Sequence, residues 1–268
     1  MLNYFTLWRG LMLKIQTVTN DIVMMVRSRV NGLKHQQNGF LLLVSLVLFS
    51  CSSEPPSLQT GADKEVNKAG LTRVDNSPMD LSYAREDVAW SKYHKLMFAK
   101  VNVNNDHPDD YRPPRIDPMS DGPNATYDLD DATLLKMGQE FVKVAQGVFD
   151  EDQPFEIVTQ ADANTLVIEV MITDIRLTAP VESSRRSYNS IGGTTYTESS
   201  GSLVIAAGLK DGESGQILAQ ALDRGAAIDQ WKQNTKVFNW GDMRTIYRNW
   251  LTTFKSSLIR VSASDQQP

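Results

Sequence analysis

One cysteine and three histidines are all the thiol and imidazole ligands that the 268 residues contain. The lone Cys51 excludes an internal disulfide and any zinc site built on cysteines, and three histidines leave little room for a histidine-rich metal centre. Basic residues are also in short supply: 27 Lys and Arg face 32 Asp and Glu, a formal net charge of −5. A nucleic-acid backbone wants a basic surface, so nucleic acid is not an expected partner. No Gly-x-Ser-x-Gly elbow, P-loop or dinucleotide fingerprint occurs, and Gly192-Gly193 is too isolated to stand for one. No apolar run reaches the roughly 20 residues that a membrane-spanning helix needs. What remains, 41% hydrophobic and 22% charged residues, is ordinary globular composition. No catalytic residue, cofactor or metal is expected from it.

The longest apolar run is Phe40 to Phe49, interrupted only by Ser45, with Arg27, Arg29 and Lys34 upstream and no acid between them. A basic stretch followed by a short apolar run reads as a secretory signal over residues 1–50. Residues 1–24 add nothing such a signal needs, and a start assigned too early is the simplest account. The run ends at Leu48-Phe49-Ser50-Cys51, which resembles the lipobox of bacterial lipoproteins, where the Cys is acylated and becomes the mature N-terminus. Leu48 and Ser50 fit that pattern; Phe49 is bulkier than usual. The resemblance implies a membrane-lipid anchor on Cys51. Ser52 stands where an inner-membrane retention signal would place Asp, which favours the outer membrane. Removing residues 1–50 takes away five basic residues and one acid, so the mature chain is more acidic still and would not be held to anionic lipid by charge. Stable anchoring by acyl chains takes more than one, as a triacylated Cys would supply.

Residues 51–85 are rich in Ser, Pro, Gly, Asn and charge, and read as the lipidated Cys followed by a flexible tether, ordered at most near Leu81 to Tyr83. A periplasmic domain is expected over 86–262, with a disordered tail at 263–268. His94 to Val103 is apolar on both alternating faces, as in a central strand covered on two sides. Asp128 opens a helix, with Asp131 in capping-box position and Leu134, Met137, Phe141, Val144, Ala145 and Val148 at helical spacing. Phe155 to Val158 is a short strand and Thr165 to Thr178 a long one. In the long strand the phase slips from Leu166, Ile168, Val170 and Ile172 to Ile175 and Leu177, which a bulge near Thr173-Asp174 would cause. Ser202 to Lys210 and Gln216 to Arg224 flank the turn Asp211-Gly212-Glu213-Ser214-Gly215 as a hairpin. Asn239 caps a last helix whose stripe is Met243, Ile246, Tyr247, Trp250, Leu251, Phe254, Leu258 and Val261. The expected fold is α+β: a two-layer sandwich in the order β-α-β-β-β-β-α, with a mainly antiparallel sheet and two amphipathic helices on one face.

These segments resemble a known family. Thr173-Asp174-Ile175-Arg176-Leu177-Thr178-Ala179-Pro180 closes a long strand, Gly201 to Ile205 opens the next, Asp211 to Gln220 makes the hairpin, and Asp223-Arg224, Asn239, Asp242 and Trp250 follow. Together with the Cys-led N-terminus, the stretch Tyr83 to Val261 is similar to the bacterial lipoproteins grouped as domain of unknown function 3313. That resemblance implies a cell-envelope lipoprotein of α+β fold and supplies no catalytic residues. The function expected is a non-enzymatic binding or structural module facing the periplasm, with an envelope protein or glycan as partner. An auxiliary lipoprotein of an envelope transport or assembly complex, and an envelope hydrolase, are the alternatives.

Four clusters could carry chemistry. Asp106, Asp109 and Asp110 with His107 could bind a cation, but a solvated loop explains them more simply because the Ca-loop glycine and terminal Glu are missing. Asp128, Asp130 and Asp131 are accounted for by the helix dipole. Asp174, at the bulge, would need a partner to act as acid or base, and His94 is the sequence candidate. Arg185 and Arg186, with Ser183, Ser184 and Tyr188 in a long loop, could meet an anionic group and form the preferred partner-binding loop.

Overall fold

The computed structural model describes residues 54–116, 125–150, 154–178, 196–197, 201–227, 232–233 and 236–265, all within the unit Ser52–Pro268. The expected signal, Cys51 and the loop carrying Arg185, Arg186 and Tyr188 lie outside these residues. The elements run β1 (Ser57–Leu58), β2 (Thr72–Asp75), β3 (Leu81–Ala84), a 3₁₀ turn (Trp90–Lys92), β4 (Lys95–Val103), α1 (Asp131–Asp150), β5 (Glu156–Ile157), β6 (Thr165–Arg176), β7 (Tyr196–Thr197), β8 (Ser202–Asp211), β9 (Ile217–Ala226), β10 (Lys232–Gln233) and α2 (Lys236–Ser264). Eight strands form one sheet in the order β1-β2-β3-β9-β8-β6-β4-β5, and β7 pairs with β10 separately.

The sheet is mixed, which corrects the mainly antiparallel expectation. β4 runs parallel to both β5 and β6, whereas β6–β8, β8–β9, β9–β3, β3–β2 and β2–β1 are antiparallel. The cause is α1: a strand that continues into a helix lying on the sheet is carried back to its starting end, so the next strand must run the same way.

A second correction concerns residues 51–85. Far from being a tether throughout, residues 57–84 contribute three strands. Leu81↔Leu222 and Ala84↔Ala219 pair β3 with β9, and Leu71, Leu81 and Tyr83 are buried. Four-residue strands have little stability alone and exist because a distant partner completes them. Asp80 and Asp223 fasten this join reciprocally: the Asp80 N–H donates to Asp223 Oδ1 (3.0 Å) and the Arg224 N–H to Asp80 Oδ2 (3.1 Å).

In β4 the register shifts between Phe98 and Lys100. Leu96 and Phe98 before the shift, and Val101 and Val103 after it, all pack on the same core. The two-faced apolar pattern is therefore one face interrupted by a bulge at Ala99. The bulge expected in β6 is present: pairing jumps between Thr173 and Arg176, and Asp174 has φ 47. Ile172 and Ile175 are consequently both buried.

The helices form the second layer. Asp130, rather than Asp128, caps α1 by accepting the Thr133 N–H (2.7 Å). α2 begins at Lys236, ahead of the expected Asn239 cap, and runs through Ser264 into the stretch expected as tail. Phe141 of α1 meets Tyr247 of α2 edge-on at 5.1 Å, and Lys255 donates to the Val148 carbonyl (2.8 Å). Both helices bury their stripes in a single cluster with Leu96, Ile168, Val170, Ile172 and Ile205. Each fully buried large apolar side chain stabilises by about 1.5–3 kcal/mol, so Ile246, Tyr247, Trp250, Leu251 and Leu258 make α2 a principal source of stability. α2 crosses β9 at Gly225, where a Cβ would lie 2.3 Å from Ile246 Cγ2 and 2.7 Å from the Trp250 ring.

Candidate functional site

Two features organise the polar and apolar sides of the sheet. The first is Asp174, fully buried at the β6 bulge. Its partner is His107, not His94: His107 Nδ1 donates to Asp174 Oδ1 at 2.9 Å, whereas His94 Nδ1 sits 3.1 Å from its own segment's Lys92 carbonyl. Arg176 Nε donates to Oδ1 (2.9 Å), and the terminal guanidinium nitrogens of Arg176 and Arg224 both reach Oδ2. Tyr111 stacks on His107 at 4.1 Å and underlies the Arg176 guanidinium at 5.1 Å. Burial pushes the Asp174 carboxyl upward, but the hydrogen bonds from Arg176, Arg224 and His107 outweigh it and leave its pKa below the ordinary value. Both carboxylate oxygens are thus committed to holding together β6, β9 on the far side of β8, and the 104–111 loop. This is a structural knot and not an acid–base pair.

Asp106, Asp109 and Asp110 share the His107 loop, yet among the described residues no group of His, Cys, Asp or Glu is arranged to hold a metal. Asp106 instead supplies its carbonyl to the Asp174 N–H (3.0 Å) and Thr173 Oγ1 (3.1 Å). Sequence reasoning missed Arg176, Arg224 and Tyr111. Arg176 stands two residues from Asp174 in the same strand and could have been found; Arg224 and Tyr111 reach it only through the fold.

A similar clamp closes the far end of the sheet. Asp211 accepts the Glu213 and Ser214 N–H groups and Ser214 Oγ–H within the β8–β9 turn, together with Lys92 Nζ (2.7 Å) and Tyr93 Oη–H (2.7 Å). The Lys92 ammonium, then the Ser214 N–H and the Tyr93 hydroxyl, hold its carboxyl well below the usual range. Burial and the Asp211 carboxylate push the Tyr93 phenol up to about 12.

The second feature is an apolar groove of about 200 Å³ on the helix-bearing face, between α2 and the β3–β9–β8 part of the sheet. It opens where α2 parts from β9 beyond Gly225. Small side chains make part of its floor, where Ala84 of β3 pairs with Ala219 of β9 and Ala221 of β9 with Ala207 of β8, and Ser82, Ile205 and Leu209 line it beside them. Phe254, Leu258 and Val261 of α2 form the opposite wall. Met79 and Pro56 stand at one rim and the exposed Arg260 at another. The polar groups beside the groove have structural partners. Asp223 Oδ2 accepts Trp250 Nε1–H (2.6 Å), and Gln220 Oε1 accepts Asn67 Nδ2–H (2.9 Å). Such a space is suited to receiving an apolar group.

The profile of the family described as "Protein of unknown function (DUF3313)" matches residues 65–254. The chain belongs to the DUF3313 family. Its matched span covers β2 through most of α2, and so includes the Asp174 knot and the strands that floor the groove, but ends at Phe254, before Leu258 and Val261 of the α2 wall. No curated protein matches this DUF3313 chain in sequence. Solved structures similar to it include the PelC dodecamer from Paraburkholderia phytofirmans (8% identity, 64% of this chain and 96% of that chain, TM-score 0.32). Protein XCC0632 from Xanthomonas campestris is similar at 11% identity (65% and 89% covered, TM-score 0.33). A neuraminyllactose-binding hemagglutinin homolog from Helicobacter pylori is similar at 8% identity (63% and 80% covered, TM-score 0.29). At these TM-scores the likeness carries no argument about function. No enzyme family is indicated. Among the described residues no helix is long and apolar enough to cross a membrane.

Proposed function

We propose that this DUF3313 protein is a non-enzymatic binding module of the bacterial cell envelope, moored to the outer membrane by lipid on Cys51 and facing the periplasm. The observation that carries the binding part is the groove: a sizeable apolar space whose neighbouring polar groups are already spent on structure. Asp174, the residue with the strongest claim to acid–base work, is saturated by two guanidiniums and an imidazole, which counts against a hydrolase. The mooring rests on the sequence pattern Leu48-Phe49-Ser50-Cys51 after a basic and apolar leader. Arg185, Arg186 and Tyr188 remain the proposed contact for an envelope protein or glycan.

Fractionation of wild type and Cys51→Ala, with mass spectrometry of the processed N-terminus and affinity capture from crosslinked envelopes, tests this reading. The wild type is expected in the membrane fraction with an acylated Cys51, and the variant is expected to lose both the acylation and the membrane association. An unmodified thiol on the processed protein, or undiminished membrane retention of Cys51→Ala, refutes the mooring.

A further inference from the structure

We propose that the groove between α2 and β3–β9–β8 is a site for one acyl chain of a diffusible membrane lipid, with its anionic head beside Arg260. The inference deepens the reading of the groove as the binding site, and it does not require that Cys51 be acylated. Three observations carry it. The first is size and lining. About 200 Å³ exceeds the roughly 150 Å³ apolar cavity that stays dry and accepts a benzene ring. The register that sets Ala84 beside Ala219, and Ala221 beside Ala207, makes the floor a smooth trough where larger residues would have closed it.

The second observation is that the backbone groups of that floor are already paired. β6, β8, β9 and β3 are each flanked by a neighbouring strand on both sides, so their backbone groups belong to ladders. A peptide laid in the trough would bring N–H and C=O groups that no ladder edge receives, and burying them unpaired is unfavourable. An acyl chain brings none. The third is charge at the rim. Arg260 is exposed and, among the described residues, makes a single long side-chain contact, to Ser257 Oγ at 3.4 Å, so its guanidinium retains donors for a phosphate or carboxylate. The chains on Cys51 itself could reach the site, since Pro56 lines the rim five residues away. They are assigned to the bilayer because stable anchoring uses more than one chain.

The test uses the full chain, as wild type, Cys51→Ala, Ala221→Phe, Ala207→Leu and Arg260→Glu. Each is incubated with phosphatidylethanolamine/phosphatidylglycerol vesicles containing phosphatidylglycerol with a diazirine in its acyl tail. After irradiation, adducts are mapped by peptide mass spectrometry, which reports Cys51 acylation in the same run. Adducts are expected at Met79, Phe254 or Leu258 in both wild type and Cys51→Ala. They should fall at least tenfold in Ala221→Phe or Ala207→Leu, whichever retains a wild-type melting profile, and several-fold in the surface variant Arg260→Glu. Groove adducts that are absent, or unchanged by both filling variants and by Arg260→Glu, overturn the proposal. Adducts confined to Cys51→Ala would mean that the protein's own chain fills the groove, and would overturn the assignment to a diffusible lipid. An unmodified Cys51 alongside groove adducts would refute the mooring and leave the site standing.

Discussion

Asp174→Asn separates charge from shape at the knot. Asn is nearly isosteric and tolerates the left-handed φ of 47 at this position, so the backbone need not move. What changes is that the carboxylate receiving Arg176, Arg224 and His107 becomes a neutral amide, one of whose ends is itself a donor facing donors. Breaking a buried ion pair from one side costs about 3–5 kcal/mol. The lower end applies, because the side chains of Arg176 and Arg224 are 38% and 36% exposed and water can take over part of their solvation. We expect a loss of about 3 kcal/mol at neutral pH, which is a melting point lower by about 6–12 °C for a domain of this size. In guanidinium, with a slope of about 4 kcal/mol/M, the midpoint should fall by roughly 0.7 M at unchanged slope. The pH dependence has a definite sign. The folded carboxyl titrates below its ordinary value, so its contribution is complete above the unfolded pKa of about 3.9 and disappears as pH falls through the folded one. The carboxyl's own share of the gap between wild type and Asp174→Asn should therefore persist as the pH falls from neutral and close only in stronger acid. Asp174→Ala should be about 1–2 kcal/mol worse than Asn, from the left-handed backbone alone. A loss under about 0.5 kcal/mol at pH 7, typical of an unremarkable surface change, or a gap that does not narrow in acid, would refute the account of the knot.

Tyr247 is completely buried with its hydroxyl lacking a hydrogen-bond partner among the described residues. Tyr247→Phe should leave stability unchanged or raise it by about 1 kcal/mol, and a measured loss in chemical denaturation would reveal a partner for that hydroxyl. Gly225→Ala should cost about 1–3 kcal/mol by overpacking against Ile246 and Trp250, with a shifted tryptophan emission; a neutral result would contradict the close crossing of α2 over β9. Asp211→Asn should loosen the β8–β9 turn by about 2–3 kcal/mol, since charged hydrogen bonds contribute about 1.5–3 kcal/mol each, with faster amide exchange at Glu213 and Ser214 as its local signature. Unaltered exchange there would show that the turn holds itself. Because Lys92, Ser214 and Tyr93 depress the Asp211 carboxyl, its stabilisation, like that of Asp174, is present above the unfolded pKa and lost only in strong acid.

Local pattern made much of the architecture legible. The long strand over 165–176, its bulge at Asp174, the turn at Asp211 and the stripes of both helices follow from spacing alone, because each is fixed by neighbours within a few residues. The failures all involve distance. Order near Leu81 to Tyr83 is legible, but Ser57–Leu58 and Thr72–Asp75 are too short to declare themselves, and the three become strands of one sheet only because β9 offers β3 an edge. The parallel run of β4 and β6 is decided by where α1 lies, which the period of α1 does not state. The sequence groups His107 with nearby aspartates and offers His94 to Asp174, because it carries no sign that the 104–111 loop folds back onto the bulge. The groove is the extreme case. Ala84, Ala207, Ala219 and Ala221 are unremarkable singly and form a trough only once the registers of three strands are set side by side.

The pairing of β3 with β9 also dictates an order of events. Asp80 and Asp223 are 143 residues apart, so the sheet cannot be completed as the chain leaves the ribosome. β3 must wait, unpaired on that side, until residues 217–226 have been made, and closing so long a loop is entropically slow. A nascent chain of this protein therefore keeps β1 to β3 available to chaperones or proteases until residues 217–226 have been synthesised.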